Sequence, residues 1–73
     1  MTPVEFGDAL GWPRLFRKGK LCWESDRGTQ VSIGHHGTQV RVTHRLTADE
    51  SWVPCDAVGL GFVAAFDADR PSA

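Results

Sequence analysis

The sequence predicts a mostly β domain, a small antiparallel barrel with a short N-terminal helix. Three observations carry that expectation. Residues 20–25, 29–33 and 38–46 each alternate apolar with polar side chains, the period of a half-buried strand. The connections between them, Asp26-Arg27-Gly28 and Gly34-His35-His36-Gly37, are built around glycine. One antiparallel register also puts the large apolar groups of all three segments on a single face, and a one-residue slip would destroy that agreement.

Taken in order, the chain opens on a capping box, with Thr2 able to cap, Pro3 at the first helical position and Glu5 three residues after Thr2. Gly11 is the stop, so a helix is expected over 3–10, although Gly7 weakens its middle. Trp12-Pro13 then forces an extended or turning backbone. Pairing Ser25 with Thr29 sets Trp23 opposite Val31 and Leu21 opposite Ile33. Pairing Ile33 with Thr38 sets Val31 opposite Val40. Cys22, Glu24, Gln30, Ser32, Gln39, Arg41, Thr43 and Arg45 then share the wet face, while His44, with the parity of Val40 and Val42, is placed partly buried at the sheet edge.

Residues 47–50 read as a polar turn, and Ser51-Trp52-Val53 as a short strand ended by Pro54. Cys55–Ala57 is expected as a single 3₁₀ turn. Gly59 and Gly61 argue against a helix beyond it, and Phe62, Ala64 and Phe66 share a strand face, so a last strand is expected over 61–66. Residues 67–73 are expected as a frayed tail. The 73 residues form one domain: a helical segment over 1–11, a barrel over 14–66 and the tail.

Composition narrows the class. No apolar run approaches the ~20 residues needed to cross a bilayer, and the first residues lack the basic and apolar regions of a secretory signal, so a soluble cytoplasmic protein with no membrane partner is expected. Two cysteines, Cys22 and Cys55, are too few for a disulfide scaffold of this size and read as free thiols. Net charge is −1, but residues 11–46 carry a balance of +5 and residues 47–73 one of −4. A basic side and an acidic side are therefore expected.

No chemistry is legible. His35, His36, His44, Cys22 and Cys55 are the right atom types for zinc, but no C-x₂-C or H-x₃-H pair occurs among them, so no metal and no cofactor are expected. The serines lack a nucleophile-elbow context, and Gly59–Gly61 lacks the spacing and lysine of a phosphate loop. The chain is expected not to be an enzyme. The one catalytic alternative is a site assembled between copies of an oligomer, and the oligomeric state is not legible.

Two segments carry a resemblance. Phe16-Arg17-Lys18-Gly19-Lys20-Leu21 is similar to the F-K-K-G-[ED]-x-L segment of SH3 domains, and Trp52-Val53-Pro54-Cys55-Asp56-Ala57-Val58 resembles their closing W-[FIV]-P-x-[ND]-x-V signature. The resemblance implies an SH3-like barrel in which Val53 and Val58 pin the core. It also implies a peptide groove, of which Pro54 would be one wall. The groove's tyrosine is Ala57 here, the chain contains no tyrosine, and the A-L-Y-D-Y-type segment is absent.

Two candidate surfaces follow. Trp52, pointing outward if Val53 points inward, stands beside Pro54 and, with Trp12, forms the candidate protein-binding set. Arg14, Arg17, Lys18 and Lys20, beside aromatic Trp12, Phe16 and Trp23, together with outer-face Arg41 and Arg45, form the alternative, a nucleic-acid surface. A non-catalytic protein-binding module is the first expectation: an adaptor, an assembly subunit or a phage-type inhibitor of a larger complex.

Overall fold

A five-stranded antiparallel meander, with a helix at each end of the chain laid on one face, is the architecture of the computed structural model, which describes residues 1–34 and 38–70. In chain order the elements are α1 (Pro3–Ala9), β1 (Arg14–Arg17), β2 (Lys20–Glu24), β3 (Thr29–Ile33), β4 (Gln39–His44), β5 (Glu50–Pro54) and α2 (Ala57–Ala68). Sheet order follows chain order, β1-β2-β3-β4-β5, so among the described residues β1 and β5 are free edges and the sheet does not close into a barrel.

The N-terminal helix forms as its sequence dictates. Thr2 Oγ1 accepts from the Glu5 N–H at 3.1 Å, and Glu5 Oε1 accepts from the Thr2 N–H at 2.8 Å, which completes the capping box. Gly11 follows the last turn at φ +74°, the left-handed stop. Gly7 is there for packing: a β-carbon on it would overlap the indole of Trp23. That ring is wholly buried, and its Nε1 donates to Asp8 at 3.2 Å, so Trp23 binds α1 to the sheet.

Thr2 backbone and side-chain bonds hold the Glu5 carboxyl below its ordinary range. The Arg14 guanidinium, then Trp23, does the same for Asp8. A depressed folded-state value contributes stability above the ordinary carboxylate range and withdraws it as pH falls through the folded value. Acidification from about pH 5 to about pH 2 is therefore expected to loosen α1. The readout is tryptophan fluorescence of a Trp12→Phe, Trp52→Phe background, in which Trp23 is the one remaining indole, and Asp8→Asn is expected to flatten the acid limb.

The core lies between the helices and the inner sheet face. Phe6 of α1, Trp23, Val31, Val40, Val42 and Val53 of the strands, and Val63 and Phe66 of α2 form one cluster. Trp23 pairs with Val31, and Ser25 N–H donates to Thr29 O at 2.8 Å across the Asp26-Arg27-Gly28 turn, where Gly28 has φ +92°. The β3–β4 register differs from expectation by two residues: Ile33 faces Val40 and Val31 faces Val42. An even shift leaves every side chain on its expected face, which is why hydrophobic alternation alone did not detect it. Residues 35–37 of that connection lie outside the described residues.

The end of the chain departs most from expectation. Residues 61–66 are not a strand but the middle of α2, and Asp56 is no part of a 3₁₀ turn but the N-cap, its Oδ1 accepting from the Gly59 N–H at 2.9 Å. Gly59 is glycine because a β-carbon would overlap the Pro54 carbonyl oxygen and stand 3.1 Å from Phe6. Val58 is 76 % exposed and does not pin the core, although Val53 is buried.

Residues 67–70 are not frayed. Asp67 Oδ1 accepts from the Ser25 hydroxyl at 2.8 Å and from the Thr29 hydroxyl, and Arg70 lies over the Phe66 ring at 3.9 Å. Arg27 reaches from the β2–β3 turn to the carbonyls of Asp67, Ala68 and Arg70, supplying the cation and donors that the end of a helix lacks. Residues 71–73 lie outside the described residues.

Candidate binding surface on the open face of the sheet

The helices cover one face of the sheet, and the other carries a row of side chains that crosses all five strands. Leu15 stands opposite Cys22, Cys22 opposite Ser32, Ser32 opposite Arg41, and Arg41 opposite Trp52. Directly opposite residues project from the same face, so these five are neighbours in sequence of strands. To one side of the row, Arg17 faces Lys20 and Gln39 faces Pro54. To the other side, Glu24 faces Gln30 and Thr43 faces Glu50. The open face is therefore basic at one end and acidic at the other.

At the basic end Arg17, Lys18, Lys20 and Arg41 surround a cavity of about 270 Å³, with Cys22, Gln30 and Ser32 between them. Lys18 is carried there by a two-residue hairpin turn in which it and Gly19 have φ +54° and +75°, the left-handed pair that suits the twist of the flanking strands. Arg17 donates to Glu24 at 3.3 Å, whereas Lys18, Lys20 and Arg41 form no ion pair among the described residues. Cys22 is buried in the wall of this cavity and accepts from Gln30 Nε2 at 3.0 Å.

Trp52 stands at the far end of the same row and is 42 % exposed. Its ring is laid down on the sheet because residue 34 is glycine: a β-carbon at Gly34 would overlap the ring. Exposed Pro54, two residues on, shares its face.

The two candidate sets thus partly merge. Trp52 and Pro54 from one meet Arg17, Lys18, Lys20 and Arg41 from the other. Trp12 is elsewhere, half-buried against the core. Arg14 projects to the helix side, its Nε donating to Asp8 at 2.9 Å, and Arg45 lies 3.9 Å from Glu24 at the acidic end. Phe16 is not a core residue; it is 76 % exposed on the helix side.

No family model matches the chain, and no curated protein or solved structure is significantly similar to it.

The remaining chemistry-bearing groups serve the fold. His44, expected partly buried, is only 2 % exposed; Nδ1 accepts from the Leu46 N–H at 3.2 Å, which leaves Nε2 to donate to the Arg27 carbonyl at 2.8 Å. With both nitrogens engaged on backbone, the ring is not a base for Ser25, whose hydroxyl belongs to Asp67. Cys22 and Cys55 are free and lie on opposite faces, the latter in the core cluster. Burial pushes the Cys55 thiol above its ordinary value, so it stays protonated and is a poor nucleophile. Among the described residues no group of three His, Cys, Asp or Glu is placed to hold a metal, and no helix is long and apolar enough to cross a membrane.

One surface was not anticipated. Between Ala57 and Phe66, α2 contains no charged residue, yet Val58 is 76 % and Phe62 44 % exposed. The signal for it was Asp56, an N-cap residue directly before an apolar run, outweighed in the sequence by two glycines.

Proposed function

We propose that this chain is a non-catalytic binding module, an adaptor whose open sheet face takes an anionic partner. The observation that supports it is the convergence of Arg17, Lys18, Lys20 and Arg41 on one cavity, three of them without an ion pair among the described residues. Lys18, Lys20 and Arg41, held near one another without a paired carboxylate among the described residues, repel one another, and an incoming anion relieves that repulsion. The SH3 likeness belongs to this reading as a small binding scaffold, without a polyproline ligand, since the tyrosines of that groove are missing.

Retention on immobilised heparin tests it. The wild-type chain is expected to bind at low salt and elute as salt rises, because surface charges are screened within about 10 Å at 0.1 M. Lys20→Glu with Arg41→Glu is expected to pass through unretained, and Arg45→Glu at the acidic end is expected to elute near the wild type. Equal retention of the double variant and the wild type would overturn the reading.

A protein partner has its own support in α2. A helix that is apolar all round normally has every face covered, and Val58 and Phe62 stand uncovered on the side of the molecule away from the basic face. An adaptor would use both faces at once. Val58→Glu with Phe62→Glu is expected to abolish capture of that protein from the native host while leaving heparin retention intact. Undiminished capture by the double variant would overturn this part.

A further inference from the structure

The anion on the open face is, we infer, a diphosphate group, free or carried by a nucleotide, held in the cavity at the basic end. This deepens the reading of that face as an anion-binding surface and rests on it. Arg17, Lys18, Lys20 and Arg41 come from β1, its turn, β2 and β4, yet all four line one cavity of about 270 Å³. That volume lies just under the range of about 300–1,000 Å³ for drug-sized ligands, so the group held inside is compact. A long polyanion laid across the sheet would run onto Glu24 and Glu50 at the acidic end, where like charge repels it.

Charge sets the number of phosphates. Arg17 is shared with Glu24 at 3.3 Å, whereas Lys18, Lys20 and Arg41 form no ion pair among the described residues, which leaves three uncompensated cations. A single phosphate carries about −1.5 to −2 at pH 7, so it leaves at least one of them unmatched, and a second phosphate joined to it matches all three. Reach gives the same answer. Lys20 on β2 and Arg41 on β4 start two strand spacings apart, about 10 Å, so two anionic centres side by side meet both without drawing either across the cavity.

Shape separates phosphate from carboxylate. A carboxylate accepts its hydrogen bonds near one plane, whereas a phosphate offers three acceptor oxygens pointing apart. The donors around this cavity come from several strands and a turn, and Ser32 of β3 adds a hydroxyl between Cys22 and Arg41. The Arg41 guanidinium is a fork that takes two phosphate oxygens at once, and the two lysines act as point charges.

Isothermal titration calorimetry of the full chain at low salt and about pH 7, where the phosphates are ionised, tests this with inorganic pyrophosphate, orthophosphate, ADP and citrate. One pyrophosphate per chain is expected, at least about 10-fold tighter than orthophosphate, the effect of one further charged contact. Citrate is expected to bind more weakly than pyrophosphate. ADP binding as tightly as pyrophosphate assigns the group to a nucleotide with its nucleoside outside the cavity, and pyrophosphate binding alone assigns it to the free ion; either result supports the inference. Lys20→Gln and Arg41→Gln are each expected to weaken pyrophosphate about 10- to 150-fold, and Arg45→Gln to leave it unchanged. Circular dichroism melting verifies that each variant is folded. A second measurement needs no variant: pyrophosphate is expected to elute the wild-type chain from heparin at an ionic strength at which sodium chloride does not.

Heparin retention without pyrophosphate binding overturns the diphosphate inference and leaves the anionic-partner reading standing. Binding of neither overturns both. Orthophosphate or citrate binding as tightly as pyrophosphate, or pyrophosphate affinity unaffected by Lys20→Gln and Arg41→Gln, also overturns the inference.

Discussion

Replacing Gly59 by alanine is expected to destabilise the protein by about 3 kcal/mol, whereas the same replacement at Gly61 is expected to stabilise it by up to about 1 kcal/mol. Both glycines lie in α2, two residues apart. A β-carbon at Gly59 would overlap the Pro54 carbonyl oxygen and press on Phe6, and a backbone atom cannot turn aside as a side chain can. Relieving it requires α2 to lift from β5, which exposes Val63 and Phe66. A β-carbon at Gly61 meets nothing within 4 Å, so alanine there brings only its better helix propensity and a less mobile unfolded chain. Thermal melts of the two variants check this, at roughly 4–8 °C per kcal/mol for a chain of this length. A Gly59→Ala protein that melts with the wild type would mean that α2 does not pack on β5 as described.

Trp23→Ala is expected to cost about 3–5 kcal/mol, the range for removing a large buried aromatic. Domains hold about 0.05–0.15 kcal/mol of stability per residue, so 73 residues hold about 4–11 kcal/mol and most of it is at stake. Trp23 is fully buried at the centre of the inner face, opposite Val31 and Arg14, with Gly7 of α1 against its ring. Its loss leaves a cavity on the sheet and removes the Asp8 bond that holds α1. Trp23→Phe fills part of the space but donates nothing, so its melt is expected to fall between alanine and wild type. Urea titration measures both; a loss below about 1 kcal/mol for alanine would contradict the packing.

The legible part of the fold was the part with a strong period. Residues 20–33 alternate cleanly, and their pairing and turn are as the sequence predicts, down to the left-handed Gly28. Alternation placed Arg41 on the wet face and pointed Trp52 outward, and Arg17, Lys18 and Lys20 were grouped with Arg41 as one set of cations, so part of the candidate surface was readable in advance; that Trp52 shares a face with them was not. Lys18 joins them only through its turn. Arg14 and Trp12 lie apart from the other members of their sets: strand parity sends Arg14 to the helix side, and Trp12 packs against the core. The β3–β4 shift was invisible because an even slip preserves parity.

α2 was not legible for a different reason. Two glycines in ten residues lower helix propensity, and an apolar run with no charge has no period to separate a strand from a helix. The choice was made by tertiary contact. Gly59 is needed because Pro54 and Phe6 occupy the space of its side chain, and the far end of the helix is held by Asp67 on Ser25 and Thr29 and by Arg27 on its last carbonyls.

By itself, then, the sequence determined the strand faces, the capped first helix and the separation of charge along the chain, because each depends on neighbours within a few residues. Whether the meander closes, which strands end as edges and where the last segment goes depended on contacts tens of residues apart. Those contacts laid α2 over the inner face, left the outer face open, and turned scattered cations into one surface beside Trp52.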